Sequence, residues 1–163
     1  MMKISNKLTS ALLALFLIVS TAQANDEGGY DWLKQRLDAT KAYTVAVFEA
    51  MPEGDYSYKP NDEQRTFAAQ AYHIIYSIDY FQRALSNGGN AQWAPGDENS
   101  KTKQELIDWA NTKFDEINKF ILEQESDDRM TAGVISYLDH NAHHRGQIIT
   151  YLRLKGIAPP QYR

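Results

Sequence analysis

Three of the four histidines lie within five positions, His140, His143 and His144 in "LDHNAHHRGQII" (residues 138–149). The fourth, His73, stands 67 residues upstream in "FAAQAYHIIYSIDYF". Imidazole ligates divalent metals and changes charge near neutrality, so this spacing raises the question of a metal centre. The chain has no cysteine, so a metal site here must draw on His, Asp or Glu. On a helix, residues i and i+4 project from one face, which sets His140 and His144 about 40° apart at ~100° per residue. His143 lies about 100° from His144 by the same rotation and almost opposite the apolar stripe of its segment. His73 also falls off the middle of its own stripe, flanked by Gln70 and Ser77. If the fold brings the two segments together, His73, His140 and His144 meet in a groove beside the core. A three-histidine set of this kind holds zinc or another divalent ion and leaves one position open for water or substrate. The spacing alone equally describes solvated surface histidines, and no H-E-x-x-H glutamate accompanies them as a general base.

Four segments with a helical period must position these residues. In the first, residues 28–51, Leu33, Leu37, Val47 and Met51 recur at helical spacing, with Trp32, Tyr43 and Phe48 alongside. The second, residues 64–87, aligns Phe67, Ala71, Ile74, Ile78, Phe81 and Leu85. The third opens at "TKQE", where Thr102 and Glu105 suit a capping box, and carries Leu106, Trp109, Ala110, Phe114, Ile117 and Ile121. The fourth, residues 130–155, aligns Val134, Leu138, Ile148, Ile149 and Leu152, and Gly156, Pro159 and Pro160 end it. No strand alternation and no internal repeat is visible. The pattern predicts an all-α four-helix bundle with long inter-helix connections. The joins after the first and second helices are long for hairpin turns, and one of them is expected to run the length of the bundle. The join between the third and fourth is short, which predicts antiparallel neighbours.

The N-terminus has the composition of a targeting segment. Lys3 and Lys7 precede the apolar run "ALLALFLIVS", and "AQA" ends at Ala24 as a small-x-small cleavage site. The run is shorter than the ~20 residues a spanning helix needs. Residues 1–24 are therefore expected to be a cleaved signal peptide. Residues 25–163 are then a single domain, exported to a periplasmic or extracellular location without a stable membrane span. Losing Lys3 and Lys7 takes the formal charge from −4 to −6, a balance with no electrostatic footprint for nucleic acid.

The stretch "HNAHHRGQIITYLRLKGIAPP" (residues 140–160) resembles the last helix of the DinB/YfiT-like family. The stretch "MPEGDYSYKPNDEQRTFAAQAYHI" (residues 51–74) resembles that family's entry into its second helix, with His73 at the family's histidine. The resemblance extends over residues 28–160. It implies a four-helix bundle with a divalent metal ion (Zn, Ni, Mn or Fe, with Zn or Ni favoured) held by His73, His140 and His144. Family members of known activity are thiol-dependent transferases or isomerases, which the resemblance implies here; the leading expectation is a metal-dependent hydrolase or transferase acting on a small-molecule substrate. The export signal fits poorly with low-molecular-weight thiols, which are mainly cytosolic cofactors. A metal-binding or partner-binding envelope protein without catalysis is the alternative.

Several neighbours have a structural reading. Arg145 falls near the centre of the apolar stripe, where a buried guanidinium needs a carboxylate or carbonyl partner. Gly146 inside a helix costs ~1 kcal/mol against Ala, which suggests close approach of another backbone. Gln147 and Asp139 are candidates for orienting the imidazoles. The row Tyr72, Tyr76 and Tyr80 suits core packing or a homodimer interface better than a substrate platform.

Overall fold

The computed structural model describes residues 28–162, so the expected signal peptide lies outside the described residues. After a 3₁₀ turn at Asp31–Leu33 the elements are α1 (Lys34–Ala50), α2 (Phe67–Ser86), α3 (Lys103–Leu122) and α4 (Asp128–Leu154), with a second 3₁₀ turn at Glu53–Asp55. No strand occurs among the described residues. No helix among them is long and apolar enough to cross a membrane.

Side-chain caps set three of the helix starts. The Thr66 hydroxyl accepts from Ala69 N, which begins α2 at Phe67 rather than at residue 64. Thr102 and Glu105 form the expected capping box at α3. The Asp127 carboxylate accepts from Met130 N at 2.7 Å, so α4 begins at Asp128. The stop of α4 is a Schellman turn. Gly156 takes φ +73°, Gly156 N donates to Arg153 O, and Ile157 N donates to Leu152 O.

The direction of each helix follows from the contacts between them. Phe81 meets Tyr137 while Gln70 meets Gln147, so α2 and α4 are antiparallel. Tyr72 packs on Trp109 and Lys113 pairs with Asp79, so α2 and α3 are parallel. Tyr30 bonds Thr131 and Thr44 bonds Asn141, making α1 parallel to α4. Lys41 pairs with Asp115 while Lys103 donates to Met51 O, making α1 antiparallel to α3. The packed pairs are α2 with α4, α2 with α3, α1 with α3 and α1 with α4. The result is an up-down-down-up bundle in which α3 and α4 sit across a diagonal. They are antiparallel as expected, but they are not the expected neighbours. Five residues extend to about 17 Å, which exceeds the diagonal of about 14 Å for helices 8–10 Å apart. The short join therefore did not require adjacency.

The parallel pair identifies the crossover. A 20-residue α2 is about 30 Å long, and residues 87–102 must run back along it to start α3 beside its first turn. The core between the helices is mainly apolar. Leu37, Phe48, Ile74, Ile78, Leu106, Phe114, Ile117, Ile148 and Leu152 are all fully buried. Trp32, expected beside the first stripe, is instead 70% exposed on the 3₁₀ turn that precedes α1.

Gly146 does not mark a close approach. A Cβ there meets nothing within 4 Å, whereas one at Gly133 runs into Leu85 Cδ2 of α2. Gly146→Ala is accordingly expected to stabilise the protein by about 0.5–1 kcal/mol. Gly133→Ala, whose methyl must displace Leu85, is expected to leave the protein about 1 kcal/mol or more less stable than Gly146→Ala does. Urea unfolding of both variants checks the contrast, and a Gly146→Ala loss contradicts it.

Candidate metal centre

The antiparallel packing of α2 on α4 brings His73 face to face with the stacked pair His140 and His144. One ring nitrogen from each lies within 4.8 Å of the other two. His73 Nε2 and His144 Nε2 are 3.1 Å apart. The ring centroids are separated by 4.4 Å (His73–His144), 4.4 Å (His140–His144) and 5.4 Å (His73–His140). Tetrahedral zinc with nitrogens at 2.0–2.1 Å sets its ligand atoms about 3.3 Å apart, so one pair already has the spacing and small rotations close the rest. His73 is buried, while His140 and His144 are part-exposed, so the set opens toward solvent along α4. His143 is exposed and outside the trio.

Two buried atoms of this cluster, His73 Nδ1 and His140 Nε2, have no hydrogen-bond partner. Buried polar atoms are almost always satisfied; His73 Nδ1 faces the Glu98 carboxylate at 3.7 Å, and His140 Nε2 is left with the lone pair that a cation would use. Burial, followed by the neighbouring imidazoles and Arg65, pushes His73 down to about 3. Burial and then His144 and His143 push His140 down to about 4. His144 is also lowered, by burial first. All three are therefore neutral at pH 7, the ligating state.

Other residues hold the rings. Gln147 Oε1 lies 2.8 Å from His144 Nδ1 and accepts from Gln70 Nε2 at 2.9 Å, and Gln70 Nε2 is 2.7 Å from the same Nδ1. These two amides fix the ring so that its Nε2 faces His73. Gln147 thus orients an imidazole as expected, whereas Asp139 is exposed and bonds none among the described residues. On the other side, Glu98 Oε1 is 3.7 Å from His73 Nδ1, and Glu98 Oε2 accepts from Arg65 Nε at 2.6 Å. Glu98 comes from the crossover, as does Trp93, whose ring stands 5.2 Å from that of His73.

The tyrosine row packs into the core as expected, with Tyr72 and Tyr76 buried and Tyr80 part-buried against them, and two of its hydroxyls have a further task. Tyr72 OH donates to Pro95 O, and Tyr76 OH accepts from Ala94 N. The row is a rack that pins the crossover along α2. Arg145 is buried as expected, but with neutral partners: its Nη1 donates to Asn141 Oδ1 at 2.9 Å and Thr44 Oγ1 at 3.0 Å, and its guanidinium lies over the Tyr43 ring. It faces α1, away from the histidines. A cleft of about 590 Å³ lies on the outer side of α1 against Ala39, Tyr43, Ala46 and Pro160. It contains none of the imidazoles.

The sequence profile of the DinB superfamily matches residues 36–148. The chain belongs to the DinB superfamily. The match takes in all four histidines and ends within α4. The fold is similar to a crystal structure of a DinB-like protein from Bacillus subtilis, with TM-score 0.64 and 22% identity over 82% of this chain and 99% of that one. A DinB-like protein from Bacillus cereus is also similar, with TM-score 0.60 and 16% identity over 79% and 94% of the two chains. No functionally curated protein matches the chain.

The neutral imidazoles make the metal-free protein sensitive to acid. The unfolded histidines titrate near the ordinary value of 6.5, whereas in the fold His73 and His140 do so at about 3 and about 4. Below pH 6.5 the unfolded chain takes up more protons, so this contribution to stability is complete above that pH and is lost as pH falls toward 4 and 3. Thermal melts in EDTA are expected to show Tm falling between pH 6.5 and 4.5, with a shallower slope in His140→Asn. Equal slopes in the two proteins contradict the account.

Proposed function

We propose that this chain is an exported protein that binds one divalent metal ion, zinc or nickel in preference to manganese or iron, through His73, His140 and His144. We further propose that it uses the ion in a hydrolase or transferase reaction on a small molecule. The observation that carries the reading is the convergence of three neutral imidazoles, with the buried His140 Nε2 left without a partner among the described residues. When bound, such an ion supplies Lewis-acid chemistry, polarising a substrate oxygen or lowering the pKa of a water or thiol toward ~7. The residues of the chain position and neutralise. Glu98 provides a carboxylate beside His73 Nδ1, which favours the proton on that nitrogen and frees Nε2 for the ion. The Gln147 carbonyl oxygen does the same at His144 Nδ1.

The part exposure of His140 and His144 favours the catalytic reading over a buffering protein, since a purely structural site closes its coordination sphere. The test is cobalt substitution of the mature protein followed by titration with azide. One equivalent of cobalt and a visible spectrum that shifts with azide are expected. Cobalt held with an unresponsive spectrum contradicts the catalytic reading, and no bound cobalt contradicts the metal reading itself.

Glu98→Ala is expected to weaken zinc binding about 10- to 100-fold, the range for loss of a group that orients a ligating histidine. Competition with a chromophoric chelator measures it. An unchanged affinity removes Glu98 from the site.

A further inference from the structure

Trp93 is unusual in where it is left. It sits in a crossover of small and polar residues, "NAQWAPGDEN", and 43% of its surface stays in water. A strap that only needs to return the chain to α3 has no use for an exposed indole. Yet its backbone is fastened on both sides. Arg83 donates to Gln92 O, Ala94 N donates to Tyr76 OH, and Tyr72 OH donates to Pro95 O. Its ring is clamped edge-on by Tyr76 at 4.8 Å and Tyr80 at 5.2 Å, and it lies 5.2 Å from the His73 ring at an interplanar angle of 57°. The histidine face is therefore two-sided. One rim is aromatic, with Trp93 beside His73 and Phe81 beside His140. The other is hydrogen-bonding, with Gln70 and Gln147 at His144.

We propose that Trp93 is a specificity-determining wall of the three-histidine face, selecting small molecules that carry a flat aromatic group next to the group that reaches the metal. This rests on the metal reading above. A pre-positioned indole stacks with little loss of side-chain freedom, because its two torsions are already held.

The test uses zinc-loaded protein and two hydroxamates with the same metal-binding head, benzohydroxamate and acetohydroxamate, titrated calorimetrically. The phenyl compound is expected to bind about 3- to 10-fold more tightly, the scale of one aromatic contact. In Trp93→Ala that ratio is expected to fall to between one and two while the zinc stoichiometry stays at one. Trp93→Phe, which keeps a ring in the strap, is expected to retain most of the preference and guards against a folding defect in the alanine variant. A ratio that is the same in wild type and Trp93→Ala, or zinc-loaded protein that binds neither hydroxamate, overturns the wall while leaving the metal site standing. Protein that takes up no zinc overturns both.

Discussion

Alanine at His73, His140 or His144 is expected to weaken zinc binding by about 100-fold or more in each case, and alanine at His143 by less than threefold. Zinc sites with four protein ligands draw about 10–16 kcal/mol from them, so one ligand carries about 3 kcal/mol, or about 100-fold. The contrast follows from geometry rather than from residue type. The three imidazoles present nitrogens within 4.8 Å of one another, from two helices whose antiparallel packing fixes their approach. His143 is the immediate neighbour of His144 in sequence but points to solvent, where its Nε2 meets only the Gln147 amide at 3.2 Å. Gln147 keeps its contacts to Gln70 and His144 without it. Isothermal titration with zinc across the four variants decides the matter. A His143→Ala loss as large as the others contradicts the assignment.

The second large effect is on stability and lies away from the histidines. Asn141→Ala is expected to destabilise the protein by about 2–3 kcal/mol, the scale of a buried hydrogen bond to a charged group together with the group left unpaired. Arg145 is buried with no carboxylate paired to it among the described residues, and the Asn141 carboxamide oxygen is one of its two hydrogen-bond acceptors there. Removing that acceptor leaves the guanidinium charged, dry and served only by Thr44 and the Tyr43 ring. Arg145→Met, which removes the charge and keeps the volume, is expected to cost less than Asn141→Ala, because the desolvation penalty disappears with the ion. Denaturant unfolding of both variants measures the order. If Arg145→Met costs more, the guanidinium contributes net attraction that its neutral neighbours do not account for.

The helices were legible because their apolar faces repeat at 3.6 residues and because Thr102 with Glu105 spells a cap. The histidine trio was legible for the same reason. Helical rotation placed His140 with His144 and turned His143 away, and the structure brings those three together as the wheel and the family resemblance indicated. What lay in the connections was not legible. Glu98 and Trp93 have no period to register them against α2, so their place beside His73 depends on the parallel α2–α3 pair that sends the crossover back along the bundle. Ring order was also hidden, since a five-residue join spans a diagonal as readily as an edge. Gly146 misled because a helical glycine signals close approach only where a neighbour stands over it, and on α4 that position is Gly133.

The convergence of His73, His140 and His144 on one ion is tested most directly by a crystal structure of the zinc-loaded protein with anomalous scattering at the zinc edge. The account predicts a single strong peak per chain, about 2.0–2.1 Å from one nitrogen of each of those three rings. A peak elsewhere, or one reached by only two of them, contradicts it.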